Sequence, residues 1–111
     1  MSDAPPILVL CRDLLFSSKI TATAQSLGVP VKVLRDPIKL EEKMTSRRLL
    51  VDLNQDGFLD AAAHWRTKTG GHVTGFVGHT DASTIAKAQT LEIDSILTRG
   101  GFVANLNDIL T

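Results

Sequence analysis

Leu49-Leu50-Val51-Asp52-Leu53-Asn54 is an apolar run interrupted by one acid near its end. Continuous apolar runs of this length suit strands buried on both faces, the condition of a parallel sheet. Working outward, similar runs recur on both sides. Ile7-Leu8-Val9-Leu10-Cys11 and Val31-Lys32-Val33-Leu34 precede it, and Val73 to Val77 and Ser95-Ile96-Leu97-Thr98 follow. Between these runs the pattern turns helical. Phe16, Ile20, Ala24 and Leu27 recur at three- and four-residue steps, with Asp13 as a cap and Gly28 as a stop. Asp36-Pro37 signals the start of a second helix, with Glu41 and Glu42 early and Arg47 and Arg48 late, an order that suits the helix dipole. The alanine-rich segment from Asp60 through Trp65 predicts a third helix, stopped by Gly70-Gly71. Thr80-Asp81 predicts the cap of a fourth, carrying Ile85, Ala86 and Leu91. Gly100-Gly101 punctuates the chain before a last amphipathic helix marked by Phe102, Leu106, Ile109 and Leu110.

Five strand–helix units in succession imply an α/β protein with a five-stranded parallel sheet, doubly wound as (βα)5 with helices on both faces. A closed barrel needs about 200 residues or more, and this chain has 111. The expectation is one domain over residues 1–111. Apolar residues make up 43% and charged residues 22%, the balance of a globular chain and not of a disordered one. Twelve Lys+Arg offset twelve Asp+Glu, so net charge gives no reason to expect nucleic acid or an anionic membrane as a partner. No apolar run approaches the roughly 18 residues of a membrane span, and the start lacks the basic segment of a secretory signal. The single cysteine, Cys11, excludes an internal disulfide and a multi-cysteine zinc site. The expected location is the cytoplasm.

Open parallel sheets carry their sites where the strands end. Those ends supply Cys11-Arg12-Asp13, Asp52-Leu53-Asn54, Gly78-His79 and Thr98-Arg99. In layout the chain resembles the receiver domain of bacterial two-component response regulators. The pieces that carry the resemblance are Ile7-Leu8-Val9-Leu10, Leu50-Val51-Asp52-Leu53-Asn54 and Asp94-Ser95-Ile96-Leu97-Thr98-Arg99. It implies a flavodoxin-like sheet of strand order 2-1-3-4-5. It also places Asp52 at the position of the family's phosphoryl-accepting aspartate.

The sequence departs from the family pattern at several of its site positions. Receivers hold magnesium with an acidic pair after the first strand, where this chain has Cys11-Arg12. Asp13 is one place late and is better used as a helix cap. Gly78 stands where receivers carry Thr or Ser, Arg99 where they carry Lys, and Asp56 where a proline is usual. Phosphoryl transfer to a carboxylate relies on charge neutralisation by a hard cation with oxygen ligands. Arg12 removes a ligand and adds positive charge. The reading is therefore a degenerate receiver in which Arg12 and Arg99 flank Asp52, taking the place of metal and lysine in a fixed ion-pair cluster. The switch-site cluster comprises Cys11, Arg12, Asp52, Asn54, Gly78, His79 and Arg99. No cofactor is expected; magnesium belongs only to the alternative in which Asp52 is a working phosphoacceptor in a phosphorelay.

Three further readings stay open. Asp52, Asn54, Asp56 and Asp60, with Gly57 in sixth position, match the start of an EF-hand calcium loop, but Ala63 stands where a bidentate Glu is needed. The alternative is a polar loop with a glycine turn. Cys11 ends a strand before a helix, as phosphate-handling cysteines do, yet its loop lacks glycine; a buried apolar thiol is the alternative. His64, His72 and His79 show no metal spacing to one another, and Trp65 can cover the core or anchor a partner. The sequence thus points to a non-enzymatic, stand-alone signalling module. The resemblance implies a protein partner, such as a sensor kinase or a downstream signalling protein, and makes the unit from Asp81 to Leu110, which resembles the surface through which receivers often pair, the candidate surface for homodimerisation.

Overall fold

The computed structural model describes residues 5–111. Five strands, β1 (Ile7–Leu10), β2 (Val31–Leu34), β3 (Arg48–Asp52), β4 (His72–Val77) and β5 (Ser95–Thr98), form one parallel sheet in the order β2-β1-β3-β4-β5. The helices are α1 (Leu14–Leu27), α2 (Phe58–Thr69), α3 (Ala82–Thr90), α4 (Arg99–Ala104) and α5 (Leu106–Leu110). β1 and β3 are central, and their in-register pairing sets Leu8 beside Leu49 and Leu10 beside Val51.

The continuous apolar runs follow from burial on both faces. Side chains alternate along a strand, so Leu8, Leu10, Leu49 and Val51 join one core with Leu40, Phe58 and Trp65. Ile7, Val9, Leu50 and Phe76 join the opposite core with Ile20, Phe102 and Leu106. Neither face of a central strand can be polar, which is why the sequence shows no alternation.

α1 is capped as its sequence signals. The Asp13 carboxylate accepts the Phe16 N–H at 3.0 Å, and Gly28 closes the helix at φ 72°. α2 starts two residues before the alanine-rich segment, at Phe58, after Gly57 turns the chain at φ 81°.

Two expected helices differ from the sequence reading. The second unit is a six-residue 3₁₀ helix, Pro37–Glu42, whose one buried residue is Leu40. Its Asp36 cap and Pro37 stand as expected, but a segment with one core contact lacks the apolar stripe that sustains an α-helix. Arg47 and Arg48 therefore do not complement its dipole: Arg48 opens β3, and Arg47 donates to the Thr69 carbonyl at 2.9 Å. The last helix does not wait for Gly100-Gly101. It begins at Arg99, with Thr98 Oγ1 accepting the Gly101 N–H at 3.0 Å, and breaks at Asn105 into α4 and α5. Paired glycines lower helix stability, and the Thr98 cap offsets this only for the first turn.

Candidate functional site

β1, β3, β4 and β5 deliver their C-terminal residues to one rim. Asp52 is the last residue of β3, and its side chain is 0% exposed. Burying a carboxylate without partners is costly, and both oxygens have one. Oδ2 accepts from Arg99 Nη2 at 2.6 Å, and Oδ1 accepts the Asn54 N–H at 3.0 Å.

Arg99 is held from several sides. Its guanidinium lies 5.0 Å from the centre of the Phe16 ring and 5.4 Å from that of Phe76. Its Nη1 is 3.9 Å from Asp13 Oδ2. Phe16 and Phe76 stack with centres 4.5 Å apart, and Phe102 closes the cluster at 4.6 Å from Phe76. A cation in the first turn of a helix opposes the helix dipole. The two carboxylates and the aromatic faces supply the compensating attraction.

Asn54 ties three elements together. Its Oδ1 accepts the Gly78 N–H at 2.7 Å, and its Nδ2 donates to Asp81 Oδ2 at 2.7 Å. Asp81 also caps α3, accepting from Thr84 N–H at 3.1 Å. Bonds to Thr84, to Ser83 and to Asn54 hold the Asp81 carboxyl below its ordinary pKa. A Cβ on Gly78 would lie 3.6 Å from Asn54 Oδ1, an ordinary contact, so close approach does not force glycine there.

Arg12 does not flank Asp52. Its Nε donates to the Arg35 carbonyl at 2.9 Å and its guanidinium lies 5.2 Å from the centre of the Phe58 ring. An exposed arginine next to an aromatic face and a free carbonyl is satisfied locally. Cys11 is fully buried beneath the rim, with its thiol donating to the Asp13 carbonyl at 3.6 Å. Burial pushes the thiol pKa up, with the bond to Asp13 partly offsetting it. A buried neutral thiol is neither a nucleophile nor a ready metal ligand. His79 sits exposed in the turn after β4, with no hydrogen bond to the cluster among the described residues.

Of the four calcium-loop candidates, Asn54, Asp56 and Asp60 line one depression with Asp81 and Lys87, but Asp52 lies apart, and Asn54 and Asp60 are already engaged. Asp52 is inside the rim on Arg99, the Asn54 amide is spent on Gly78 and Asp81, and Asp60 pairs with Lys87 at 3.1 Å. Asp56 lies in the exposed loop. No three His, Cys, Asp or Glu residues are gathered as a metal would require among the described residues. Nor do the donors at Asp52 fit magnesium. A hard cation needs several oxygens, and the two nearby carboxylates, Asp52 and Asp13, both face the Arg99 guanidinium.

Phe16, Phe76 and Asp81 belong to the site although the sequence marks them only as two core residues and a cap. Sequence order carries no signal that the two rings would lie against one guanidinium.

Neither a family model nor a curated protein matches the sequence. Solved structures do. The Mn2+-bound response regulator Rcp1 aligns at TM-score 0.76 and 15% identity, over 95% of this chain and 91% of that one. The signal receiver domain of a modulated diguanylate cyclase from Desulfovibrio desulfuricans aligns at TM-score 0.78 and 18% identity, over 96% and 90%. A de novo designed Rossmann 2x3 protein aligns at TM-score 0.78 and 10% identity, over 96% and 89%. A designed protein that matches as well as natural regulators limits the likeness to architecture. The chain has the fold of response-regulator receiver domains, a flavodoxin-like parallel sheet of order 2-1-3-4-5.

Proposed function

We propose that this chain is a receiver-like signalling module that acts through protein–protein contacts, without magnesium-dependent phosphorylation of Asp52. The observation that carries this reading is the pairing of the fully buried Asp52 carboxylate with the part-exposed Arg99. Phosphoryl transfer to a carboxylate needs an exchangeable cation that neutralises the incoming oxygens. Here Oδ2 is engaged by Arg99 and Oδ1 by a backbone N–H. The guanidinium supplies fixed charge where a receiver would use an exchangeable metal and a mobile lysine ammonium. The rim is then held in one state: Asn54, Gly78 and Arg99 frame it, Cys11 lies buried beneath it, and Arg12 and His79 stand outside the cluster as contact residues. The module is non-enzymatic, needs no cofactor and belongs in the cytoplasm. Its partner is a protein, either a sensor kinase or a downstream signalling protein, and the unit from Asp81 to Leu110 is the surface proposed for pairing of two copies.

The test is an amide NMR spectrum titrated with magnesium, then beryllofluoride, then calcium. The expected result is an unchanged spectrum at each step. Shifts around Asp52, Gly78 and Arg99 with magnesium and beryllofluoride would overturn the proposal and restore Asp52 as a phosphoacceptor. Shifts confined to residues 52–60 with calcium alone would favour the metal loop.

A further inference from the structure

The 3₁₀ helix and α2 lie side by side over the sheet but differ in length. Six residues at about 2.0 Å rise cover roughly 12 Å, whereas twelve residues at about 1.5 Å cover roughly 18 Å. A groove of about 440 Å³ opens between the 3₁₀ helix and the first two-thirds of α2. Its volume lies within the roughly 300–1,000 Å³ of ligand-binding clefts. Leu40 and Trp65 line it from the core, and Trp65 is fixed there by its indole N–H, which donates to the Lys43 carbonyl at 3.1 Å. Ile38 and Met44 stand on its walls at 62% and 39% exposed, two of the few large apolar side chains left in water.

The charge at this groove is one-sided. Its lining holds two carboxylates, Glu41 and Asp60, and one histidine, His64, but neither lysine nor arginine. Asp60 is bridged on its far side by Lys87 at 3.1 Å, while exposed Glu41 makes no ion pair among the described residues. An apolar floor under an acidic wall complements an occupant that is apolar with a basic group at its edge.

We propose that this groove docks a short amphipathic segment of a partner protein, with leucine-like side chains seated against the exposed Ile38 and Met44 and a lysine or arginine against Glu41. The inference deepens the reading of the chain as an interaction module by naming the surface and the chemistry of its partner. It does not depend on the state of Asp52.

The probes are a leucine–lysine amphipathic peptide and a leucine–glutamate peptide of equal length. Trp65 is the only tryptophan and lies buried beneath the groove, so its emission reports a change in the packing of the groove walls. The lysine peptide is expected to shift the emission and to move the amide signals of Ile38, Met44, Ala61 and His64. The glutamate peptide should bind at least about tenfold more weakly, and Glu41→Lys should reverse that order. Equal binding of both peptides, shifts elsewhere on the surface, or occupancy by phenethylamine but not by either peptide would each overturn the proposal. A response of the Asp52 rim to beryllofluoride would overturn the fixed-rim reading and leave the groove result standing. Peptides that fail to bind a protein with an unresponsive rim would overturn the groove alone.

Discussion

Arg99 Nη2 lies 2.6 Å from Asp52 Oδ2, joining the first turn of α4 to the end of the central strand β3 across 47 residues of chain. The carboxylate is fully buried and the guanidinium one-third exposed, so the pair sits at the boundary between core and water. Its two halves are unequal. Arg99 could reach solvent if released, whereas Asp52 could not.

That inequality predicts an asymmetric mutational response. Arg99→Ala leaves Asp52 buried against one backbone N–H and should cost about 3 kcal/mol of stability. Adding Asp52→Asn to Arg99→Ala should recover a large part of this loss, because a neutral amide tolerates burial better than a charge. Urea denaturation of the two single variants and the double variant measures the coupling. Additive losses would show that the pair is not coupled.

Asp94 gives a pH dependence with a definite sign. It accepts two bonds from the Arg66 guanidinium, at 2.9 and 3.0 Å, and one from the Val73 N–H at 2.8 Å. The Arg66 bonds chiefly, against the effect of burial, lower its pKa from 3.8 to about 2. A carboxyl depressed on folding stabilises the native state fully above its unfolded value. Screening at this part-exposed pair reduces the contribution to on the order of 1 kcal/mol at neutral pH, and it should vanish as pH falls from near 4 to near 2. Asp94→Asn should flatten this part of the stability curve, as read by denaturant midpoints against pH.

Gly75 in β4 is set by packing and not by backbone conformation. A Cβ there would lie 2.5 Å from Leu53 Cδ1 and 2.7 Å from its Cγ. Leu53 is itself buried in the core of the α2 face. Gly75→Ala should therefore destabilise by about 1–3 kcal/mol through overpacking. Leu53→Ala, a cavity-forming change alone, should become less harmful in the Gly75→Ala background. Thermal melts of the four proteins decide this.

Cys11 should be silent in the native state. Its thiol is fully buried and its pKa raised by that burial, so little thiolate exists near neutral pH and none is accessible. A thiol reagent such as Ellman's reagent should react only after urea unfolding. Rapid native labelling would mean that the β1 end opens far more readily than its packing implies.

The strand–helix alternation was legible from residue pattern. The apolar runs Ile7-Leu8-Val9-Leu10, Leu49-Leu50-Val51 and Val73 to Val77 suit a parallel sheet covered on both faces, and the Asp13, Asp36 and Asp81 caps are local bonds spanning two or three residues. It also brought Asp52, Asn54, Gly78 and Arg99 to one rim, because strand direction alone dictates which ends converge. The second and last helices were misjudged for a local reason. Pro37 and the glycines mark boundaries, but whether an α-helix follows depends on how many side chains find a core, and only Leu40 does so in Pro37–Glu42. The arginine that pairs with Asp52 was not legible in the residue order. Arg12 adjoins the strand end in sequence, yet its guanidinium goes to the Arg35 carbonyl and Phe58; Arg99 reaches Asp52 over the rings of Phe16 and Phe76. A long side chain selects among partners several ångströms apart, and that choice is made by the packed surface beneath it, not by its position in the chain.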